Sequence, residues 1–462
     1  MLVLIASTCL ADRTVHKTLS HEASGQKQLL TQGDLENARD GQLDDWIPWE
    51  LGYEVDRNVY HGGAASARCQ NQTPAEHRGM TYDVELNQTA ATPILAEAWS
   101  KAEQVSGGSD GNYSLYLDLE YMDGTPLWGQ IATFRAGTHD WQKRTVLILP
   151  EKPVRLVHVH GIFRARTGTA WFDDFKLWEL TAPAGGRQFD GIAVRPVAPP
   201  VPVAHPDLPE LTMSLFVRDV AGASDFVQPE RMALTPGRDN LTAQGLVDSL
   251  DLKLSAKLSR IGDALRIDGE VSDLSGKERA VTVYCTHAVD AAGWQWHDDQ
   301  RRQRPVAGTG VPRNWVAVEA GANGMASRYP VACISGPARA LAVVVPLDVP
   351  RLARLAYEPS TGELYAAFDL GLSPVLRNLP GRATFSVVLY PCDPAWGFRS
   401  ALARYYDLFP QAFTRRTRRT GVWMPFMDIS TVEGFQDFGF QFQEGAPNVA
   451  FDEKHGIDSF VY

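Results

Sequence analysis

A proline-rich segment divides this chain and limits what its middle can form. Residues 183–210 read PAGGRQFDGIAVRPVAPPVPVAHPDLPE and contain six prolines from Pro196 onward. Because proline lacks a backbone N–H and fixes φ, such a segment can form neither a helix nor a central strand. We therefore predict a semi-rigid linker or an extended strap at 183–210. It would separate an N-terminal block, 25–182, from a C-terminal block that begins at 211.

The length and charge of the chain exclude several classes of protein. A chain of 462 residues is long enough for two to four domains. Its 44 basic and 55 acidic residues leave a net charge of −11. Nucleic acids and anionic membranes are bound by basic faces, so we predict no nucleic-acid partner. No apolar run reaches the length of a membrane span, and no nucleotide-binding motif indicates an organic cofactor.

The N-terminal block has the pattern of an all-β domain. Residues 113–121 (YSLYLDLEY) alternate large apolar side chains with small or polar ones. An Asp-Gly turn follows at 123–124, and residues 128–134 (WGQIATF) return, which is the pattern of a β-hairpin. Further short strands at this spacing favour a sandwich or jelly roll over 25–182.

Aromatic residues in this block indicate carbohydrate binding. Seven of the twelve tryptophans lie between Trp46 and Trp178. Aromatic rings can stack on the apolar C–H faces of sugars, while neighbouring polar groups take the hydroxyls. The alternative is that these rings fill the core of a sandwich. The residues that we predict to contact a polysaccharide or glycan are Trp46, Trp49, Tyr53, Tyr116, Trp128 and Gln130.

The N-terminal block resembles the CenC-type carbohydrate-binding modules. Residues 32–36 (QGDLE) resemble the N-G-x-F-E opening of that family, and Trp46-x-x-Trp49 resembles its W-x-x-W/G stretch. Residues 60–68 (YHGGAASAR) and 171–175 (WFDDF) resemble its H-x-G-x-x-S strand and its closing strand. The matches cover about 150 residues in the family's order. They imply a jelly roll that binds glycans and is usually fused to a glycoside hydrolase.

The same resemblance implies a structural calcium ion. Its ligands would be Glu36, Asp173 or Asp174, and backbone carbonyls near His61, all of them hard oxygen donors. The ion would join the two ends of the module and would have no catalytic role. The alternative is that Asp173 and Asp174 are charges that protect an edge strand from pairing.

The C-terminal block predicts a second, larger β-sandwich over 211–394. A helix follows, and the apolar run at 421–428 (GVWMPFMD) is typical of a buried parallel strand. Two motifs, residues 294–299 (WQWHDD) and residues 393–399 (DPAWGFR), resemble the layout of glycosidases in which a sandwich and a helix precede a (β/α)8 barrel. We therefore expect residues 395–462 to be a helix plus the start of a truncated barrel, with the first motif as a barrel lid, a second glycan platform or an anchored loop.

Barrel geometry makes Asp428 the candidate for substrate contact. Barrel active sites lie at the carboxyl ends of the strands, and glycoside cleavage needs two carboxylates. The loop that would follow Asp428 carries Glu433, Glu444, Asp452 and Glu453. A complete barrel takes about 250 residues, so we expect the catalytic pair to lie outside this chain and the chain alone to be inactive.

The apolar N-terminus, MLVLIASTCLA, favours an export signal within 1–13 and hence a secreted, periplasmic or cell-surface protein. A buried first strand is the alternative. Two functions fit these patterns: a glycan-binding module of a secreted glycoside hydrolase, or a non-catalytic adhesion protein built from two β-sandwiches.

Overall fold

A computed structural model describes residues 13–19, 28–180, 187–220, 222–229, 231–307, 310–318, 321–416, 419–445 and 448–460. The predicted export signal lies outside the described residues, apart from Arg13. The chain forms two compact units, one ending at Tyr405 and the other spanning Tyr406–Tyr462. Strands dominate the described residues, as the sequence predicts.

The first sandwich comprises two antiparallel sheets built from residues 47–179. Its strands follow β1 (Arg13–Thr18) in the chain and are β2 (Ala38–Arg39), β3 (Gln42–Leu43), β4 (Ile47–Glu50), β5 (Glu54–Asp56), β6 (Ser66–Asn71), β7 (His77–Glu85), β8 (Ile94–Val105), β9 (Tyr113–Tyr121), β10 (Pro126–Thr133), β11 (Gly137–Ile148), β12 (Val154–Arg164) and β13 (Gly168–Glu179). One sheet has the order β10-β9-β12-β7-β4 and the other β11-β8-β13-β6-β5, while β2 and β3 pair with each other.

Alternation along the strands explains why these sheets pack face to face. In β9, Leu115, Leu117 and Leu119 are buried, while the residues between them are only partly covered. Leu117 belongs to one core with Phe172 of the other sheet. The period-2 pattern thus places one face of each sheet in the core, and the prediction of a β-sandwich is confirmed.

The second sandwich is larger. Its strands, with a helix at the end, are β14 (Arg187–Phe189), β15 (Ile192–Pro196), β16 (Pro202–Ala204), β17 (Thr212–Asp219), β18 (Phe226–Gln228), β19 (Ala233–Pro236), β20 (Asn240–Val247), β21 (Leu252–Ile261), β22 (Ala264–Asp273), β23 (Arg279–Ala288), β24 (Gln295–His297), β25 (Gln303–Pro305), β26 (Trp315–Ala317), β27 (Met325–Ser327), β28 (Val331–Ser335), β29 (Ala340–Val344), β30 (Arg354–Glu358), β31 (Glu363–Leu372), β32 (Arg382–Cys392) and α1 (Phe398–Leu408). A 3-10 turn spans Asp248–Leu250.

Two sheets form this second sandwich. One has the order β14-β15-β1-β18-β17-β23-β31-β30, with β16 on β17, and the other has the order β19-β20-β21-β22-β32-β29-β28-β24-β25. β26 and β27 pair separately. The facing sides share a single hydrophobic cluster that includes Val283, Leu254 and Val387.

The proline-rich segment is not a free linker over its described residues. β14 and β15 belong to the sheet of the second sandwich, and β16 pairs along β17. Pro196 is the last residue of β15 and Pro202 the first of β16, positions where a missing N–H costs little. The segment therefore belongs to the second sandwich, which corrects the predicted linker.

The second sandwich also begins earlier in the chain than the sequence predicts. β1 lies between β15 and β18, so the first sandwich is inserted between two neighbouring strands of the second. Leu149, which follows β11 of the first sandwich, belongs to the same hydrophobic cluster as Phe189 of the second. Buried Arg313 donates hydrogen bonds to the carbonyls of Leu149 and of Pro150, the latter at 2.9 Å. The two sandwiches thus share buried contacts.

The unit Tyr406–Tyr462 contains a small parallel sheet. β33 (Val422–Pro425), β34 (Phe440–Glu444) and β35 (Asp458–Phe460) are neighbours in that order, and α2 (Val449–His455) connects the last two. Short 3-10 turns span Pro410–Phe413, Ile429–Thr431 and Phe435–Phe438. A parallel strand occurs within the predicted run 421–428, but it spans only Val422–Pro425 and is largely exposed, so the expected burial is not found. The barrel itself stays a prediction. No helix in the described residues has the length and hydrophobicity of a membrane span.

A buried ion-pair network fixes the start of the second sandwich. Arg354 is 1% exposed and donates to Asp190, from Nε to Oδ1 at 3.1 Å and from Nη2 to Oδ2 at 2.6 Å. It also pairs with Asp369. Burial lowers the pKa of Arg354, but the two carboxylates outweigh burial and raise that pKa well above its ordinary value. The tyrosine hydroxyl of Tyr284 donates to Asp190 at 2.8 Å.

Replacing Arg354→Met is expected to lower the free energy of unfolding by about 3–5 kcal/mol, because buried Asp190 and partly buried Asp369 lose their positively charged partner. Chemical unfolding followed by tryptophan fluorescence measures the change. Arg377→Met, at an exposed position, is the matched control and should leave the midpoint in place. An unchanged midpoint for Arg354→Met would contradict the role of the network.

Candidate functional site

The outer face of the sheet β10-β9-β12-β7-β4 carries the aromatic and polar side chains that alternate with the core. In β9 these are Tyr116, Asp118 and Glu120. The register pairs Tyr116 with His160 of β12, and His160 with Thr81 of β7. Side chains in register across neighbouring strands lie on the same face of a sheet. One continuous row therefore crosses the three central strands.

Histidines of β12 are held in this row by hydrogen bonds. The Nδ1 atom of His160 lies 2.8 Å from the hydroxyl of Thr81, and Nδ1 of His158 lies 2.7 Å from Oδ1 of Asp83. Burial lowers the pKa of His160 to about 4, with His158 acting in the same direction, so His160 is neutral at pH 7. A neutral imidazole can both donate and accept a hydrogen bond.

Tyr116 stands at the centre of the row. Its ring lies 5.8 Å from the His160 ring in an edge-to-face arrangement, and the Arg164 guanidinium lies 5.8 Å from its centroid. These neighbours hold the tyrosine ring in one orientation. The aromatic ring is thus an ordered, partly exposed surface.

Trp128 is presented by a bulge in β10. The register places Trp128 and Gly129 together opposite Asp118, because Leu127 pairs with Leu119 and Gln130 with Leu117. Gly129 adopts a φ of +70° and donates its N–H to Oδ1 of Asp118 at 2.8 Å. The Trp128 side chain is 56% exposed. A bulge that re-aims a side chain is a common feature of binding surfaces.

Trp49 lies at the far end of the same face. A Cβ at Gly79 would be 3.3 Å from Cε3 of Trp49, so the indole packs over a position without a side chain. Three strand spacings separate β4 from β9, about 14 Å. We call the surface formed by Trp49, Thr81, Tyr116, Trp128 and His160 the aromatic face.

Three other predicted sugar contacts have structural roles. Trp46 is fully buried against Phe175 and Tyr82, so it cannot stack on a ligand and that prediction is wrong. The Tyr53 hydroxyl donates to the carbonyl of Trp46 and accepts from the N–H of Leu43. Gln130 faces the core, and its amide donates to the carbonyl of Trp128.

Sequence reasoning missed several polar members of the face. Thr81, Asp118 and His160 carry no motif of their own. The alternation in 113–121 and in the VHVH stretch at 157–160 places Asp118 and His160 on the outer side of their strands. The strand register then brings these two residues and Thr81 onto one face of the sheet. Recognising it required knowing which strands are neighbours.

The predicted calcium ligands do meet at one corner of the first sandwich. Oδ2 of Asp173 accepts the N–H of His61 at 2.7 Å, and Nδ1 of His61 lies 2.6 Å from Oδ2 of Asp174. Both carboxylate oxygens of Glu36 lie 2.9 Å from the N–H of Ala64. The His61 ring also stacks on the Trp99 ring, with 3.9 Å between the two ring centroids. The corner thus joins the loop at 61–64 to β13 and to the Glu36 turn.

As arranged, this donor set does not fit calcium. The carboxylate oxygens accept hydrogen bonds from backbone N–H groups. The positive hydrogens of these groups would lie next to a bound cation and repel it. Within the described residues, no group of three or more His, Cys, Asp or Glu side chains could hold a metal ion. Hydrogen bonds already join the two ends of the module, which is the role expected of the ion. Calcium stays a prediction from the resemblance.

Carboxylates of the second unit are largely engaged in local structure. The Asp428 side chain accepts the N–H of Ser430 at 2.9 Å and caps the turn after β33. Asp452 is buried and accepts the hydroxyl of Ser459 at 2.6 Å. Glu444 ends β34 and is buried. Asp428 follows β33 by three residues, and Glu444 is the last residue of β34. Glu444 thus lies in a strand, and Asp452 and Glu453 lie in α2, not in the loop that the sequence predicted for them.

Comparisons with known proteins give sequence matches over a short stretch only. No protein-family model matches the chain. Over 82 residues it is 38% identical to the tRNA nuclease WapA of Bacillus subtilis (strain 168) and to the tRNA3(Ser)-specific nuclease WapA of Bacillus spizizenii. The match spans 17% of this chain but only 3% of the length of those relatives.

Solved structures similar to the chain include carbohydrate-binding modules. A family 16 carbohydrate-binding module (17% identity, TM-score 0.24) is covered over 98% of its length and 32% of this chain. The CBM22-1–CBM22-2 tandem of Paenibacillus barcinonensis Xyn10C (11% identity, TM-score 0.26) is covered over 92% of its length and 82% of this chain. TmCBM61 in complex with β-1,4-galactotriose (16% identity, TM-score 0.24) is covered over 99% of its length and 33% of this chain. Scores this low carry no conclusion about function.

The corner around Asp173 predicts a pH-dependent stability. Burial raises the pKa of Asp173 to about 7, and the Asp174 carboxylate acts in the same direction. Between about pH 4 and pH 7 the folded protein therefore binds more protons than the unfolded chain, so stability falls as pH rises through this window. Thermal melting across the window is expected to show a decreasing melting temperature.

Asp173→Asn should remove this part of the fall in melting temperature with rising pH, whereas Asp34→Asn, at an exposed position of the same module, should leave the fall unchanged. Parallel slopes for the wild type and Asp173→Asn would contradict the assignment. A higher melting temperature on adding CaCl2 above pH 7 would instead support the calcium ion, whose charge would lower the pKa of Asp173.

Proposed function

We propose that the first sandwich binds a polysaccharide or glycan on the aromatic face. The observation that carries the proposal is that Trp49, Tyr116 and Trp128 share one outer sheet face with hydrogen-bonding side chains between them. Aromatic rings offer large contact areas with little loss of side-chain freedom. Sugars need this combination of an apolar platform and a polar surround.

The charges on the face favour an uncharged glycan. Asp83, Asp118 and Glu120 face outward beside the aromatic rings, while Arg155 pairs with Glu120 and Arg164 lies over Tyr116. Carboxylates accept hydrogen bonds from sugar hydroxyls, and the mixture of both charges gives the face no strong preference for an acidic sugar. Thr81 and neutral His160 add groups that can donate or accept. We therefore infer a neutral polysaccharide as the ligand class.

The backbone of the face is rigid, which favours binding without reorganisation. Its side chains stand on paired strands and are fixed by hydrogen bonds such as Thr81 to His160. A preorganised surface loses less entropy on binding than a flexible loop. We extend the proposal to a CenC-type module in a secreted or surface-exposed protein, where polysaccharides are encountered.

A second candidate function is glycoside hydrolysis by a protein that carries a complete barrel. The parallel order β33-β34-β35, with neighbours in chain order, favours it. Asp428 would then contact substrate at the strand ends. Glycoside turnover by such a protein that is lost in Asp428→Asn would support this role, and unchanged turnover would contradict it.

Tyr116→Ala and Trp128→Ala are each expected to weaken glycan binding by about 2 kcal/mol or more, because each removes a stacking surface. Affinity electrophoresis of the full chain in gels containing neutral polysaccharides identifies the ligand, and calorimetry measures the dissociation constant. Trp423→Ala, which removes a comparably exposed tryptophan from the other unit, is the control. Retention of wild-type affinity by both variants would overturn the aromatic face as the site.

A further inference from the structure

Two sequence motifs that are almost a hundred residues apart meet at one polar cleft of the second sandwich. Residues 297–303 line one side of a cavity of about 250 Å³, and residues 394–399 line the other. The approach is close: a Cβ at Gly397 would lie 2.3 Å from Cε1 of His297. The Nε2 atom of His297 lies 2.7 Å from the hydroxyl of Ser335, which holds the ring in place.

The charge of this cleft is opposite to the charge of the whole chain. Its lining includes Arg301, Arg302 and Arg399 but only one carboxylate, Asp299. Asp299 pairs with Arg302 at 3.0 Å and accepts the N–H of Arg301 at 2.7 Å. In the described part of the chain, the guanidinium groups of Arg301 and Arg399 form no salt bridge. Two positive side chains therefore remain available to a ligand.

An exposed tryptophan stands beside these arginines. Trp396 is 61% exposed, yet its backbone is held by hydrogen bonds: its N–H donates to the carbonyl of Asp393 at 3.2 Å, and its carbonyl accepts the N–H of Arg399 at 3.0 Å. Phe398, two residues further on, is buried and its ring contacts the Tyr329 ring. The indole is thus presented by an ordered turn at the start of α1. The N-terminal end of that helix adds partial positive charge to the cleft.

We propose that this cleft, which we call the arginine cleft, binds an acidic saccharide. The Trp396 ring would stack on the sugar ring, and Arg301 and Arg399 would pair with a sugar carboxylate. Guanidinium groups match carboxylates through paired N–H donors, and aromatic rings match the apolar face of a pyranose. The ligand class is therefore a hexuronate-containing polysaccharide. The site is separate from the aromatic face and does not depend on its function.

The test is calorimetric titration of the full chain with oligogalacturonate, its carboxyl-reduced neutral counterpart and dextran sulfate. Oligogalacturonate is expected to bind, and its affinity should fall as salt is raised because screening weakens the ion pairs. Arg399→Gln and Trp396→Ala should each weaken this binding by about tenfold. Both side chains are exposed, so the variants should keep the wild-type melting temperature.

Arg377→Gln, which removes an exposed arginine outside the cleft, is the matched control and should bind as wild type. Wild-type affinity in both cleft variants, equal weakening in Arg377→Gln, or binding of dextran sulfate without oligogalacturonate would each overturn the proposal. Loss of neutral-glycan binding through Tyr116→Ala is a separate readout, so failure of one site is distinguishable from failure of the other.

Discussion

The bidentate pairing of Arg354 with Asp190 organises the larger part of this molecule. Asp190 lies in the tight turn between β14 and β15, and Arg354 begins β30 at the opposite edge of the sheet order. A buried guanidinium needs well-placed acceptors, which for Arg354 are two carboxylates, because an unpaired buried charge is strongly destabilising. The pairing therefore holds the proline-rich segment against the second sandwich. That segment carries the chain out of the first sandwich.

With the two sandwiches packed together, the unit that ends at Tyr405 offers two surfaces of different chemistry. The aromatic face combines its rings with carboxylates, neutral hydrogen-bonding groups and the guanidiniums of Arg155 and Arg164, whereas the lining of the arginine cleft combines one indole with three arginines and a single carboxylate. The same stacking interaction can thus serve different sugars, since the charges nearby decide which are accepted.

Some parts of the fold and site could be predicted from the sequence because they are local. The alternation at 113–121 encodes both the buried leucines and the outward position of Tyr116. The convergence of Glu36, His61 and Asp173 is not local and was implied only by the resemblance to the CenC-type modules. Trp46 shows the limit: a tryptophan three residues from Trp49 was expected beside it on the surface, yet it fills the core against Phe175.

The sequence by itself determined the mainly β class, the sandwich of the N-terminal block and the outward rows of its strands, because period-2 patterning acts within each strand. Only the tertiary structure decided which strands are neighbours. It placed β1 and the proline-rich segment in one sheet and brought residues 297–303 against residues 394–399. These contacts join distant positions through burial and charge pairing, and no local pattern records the partner of such a contact.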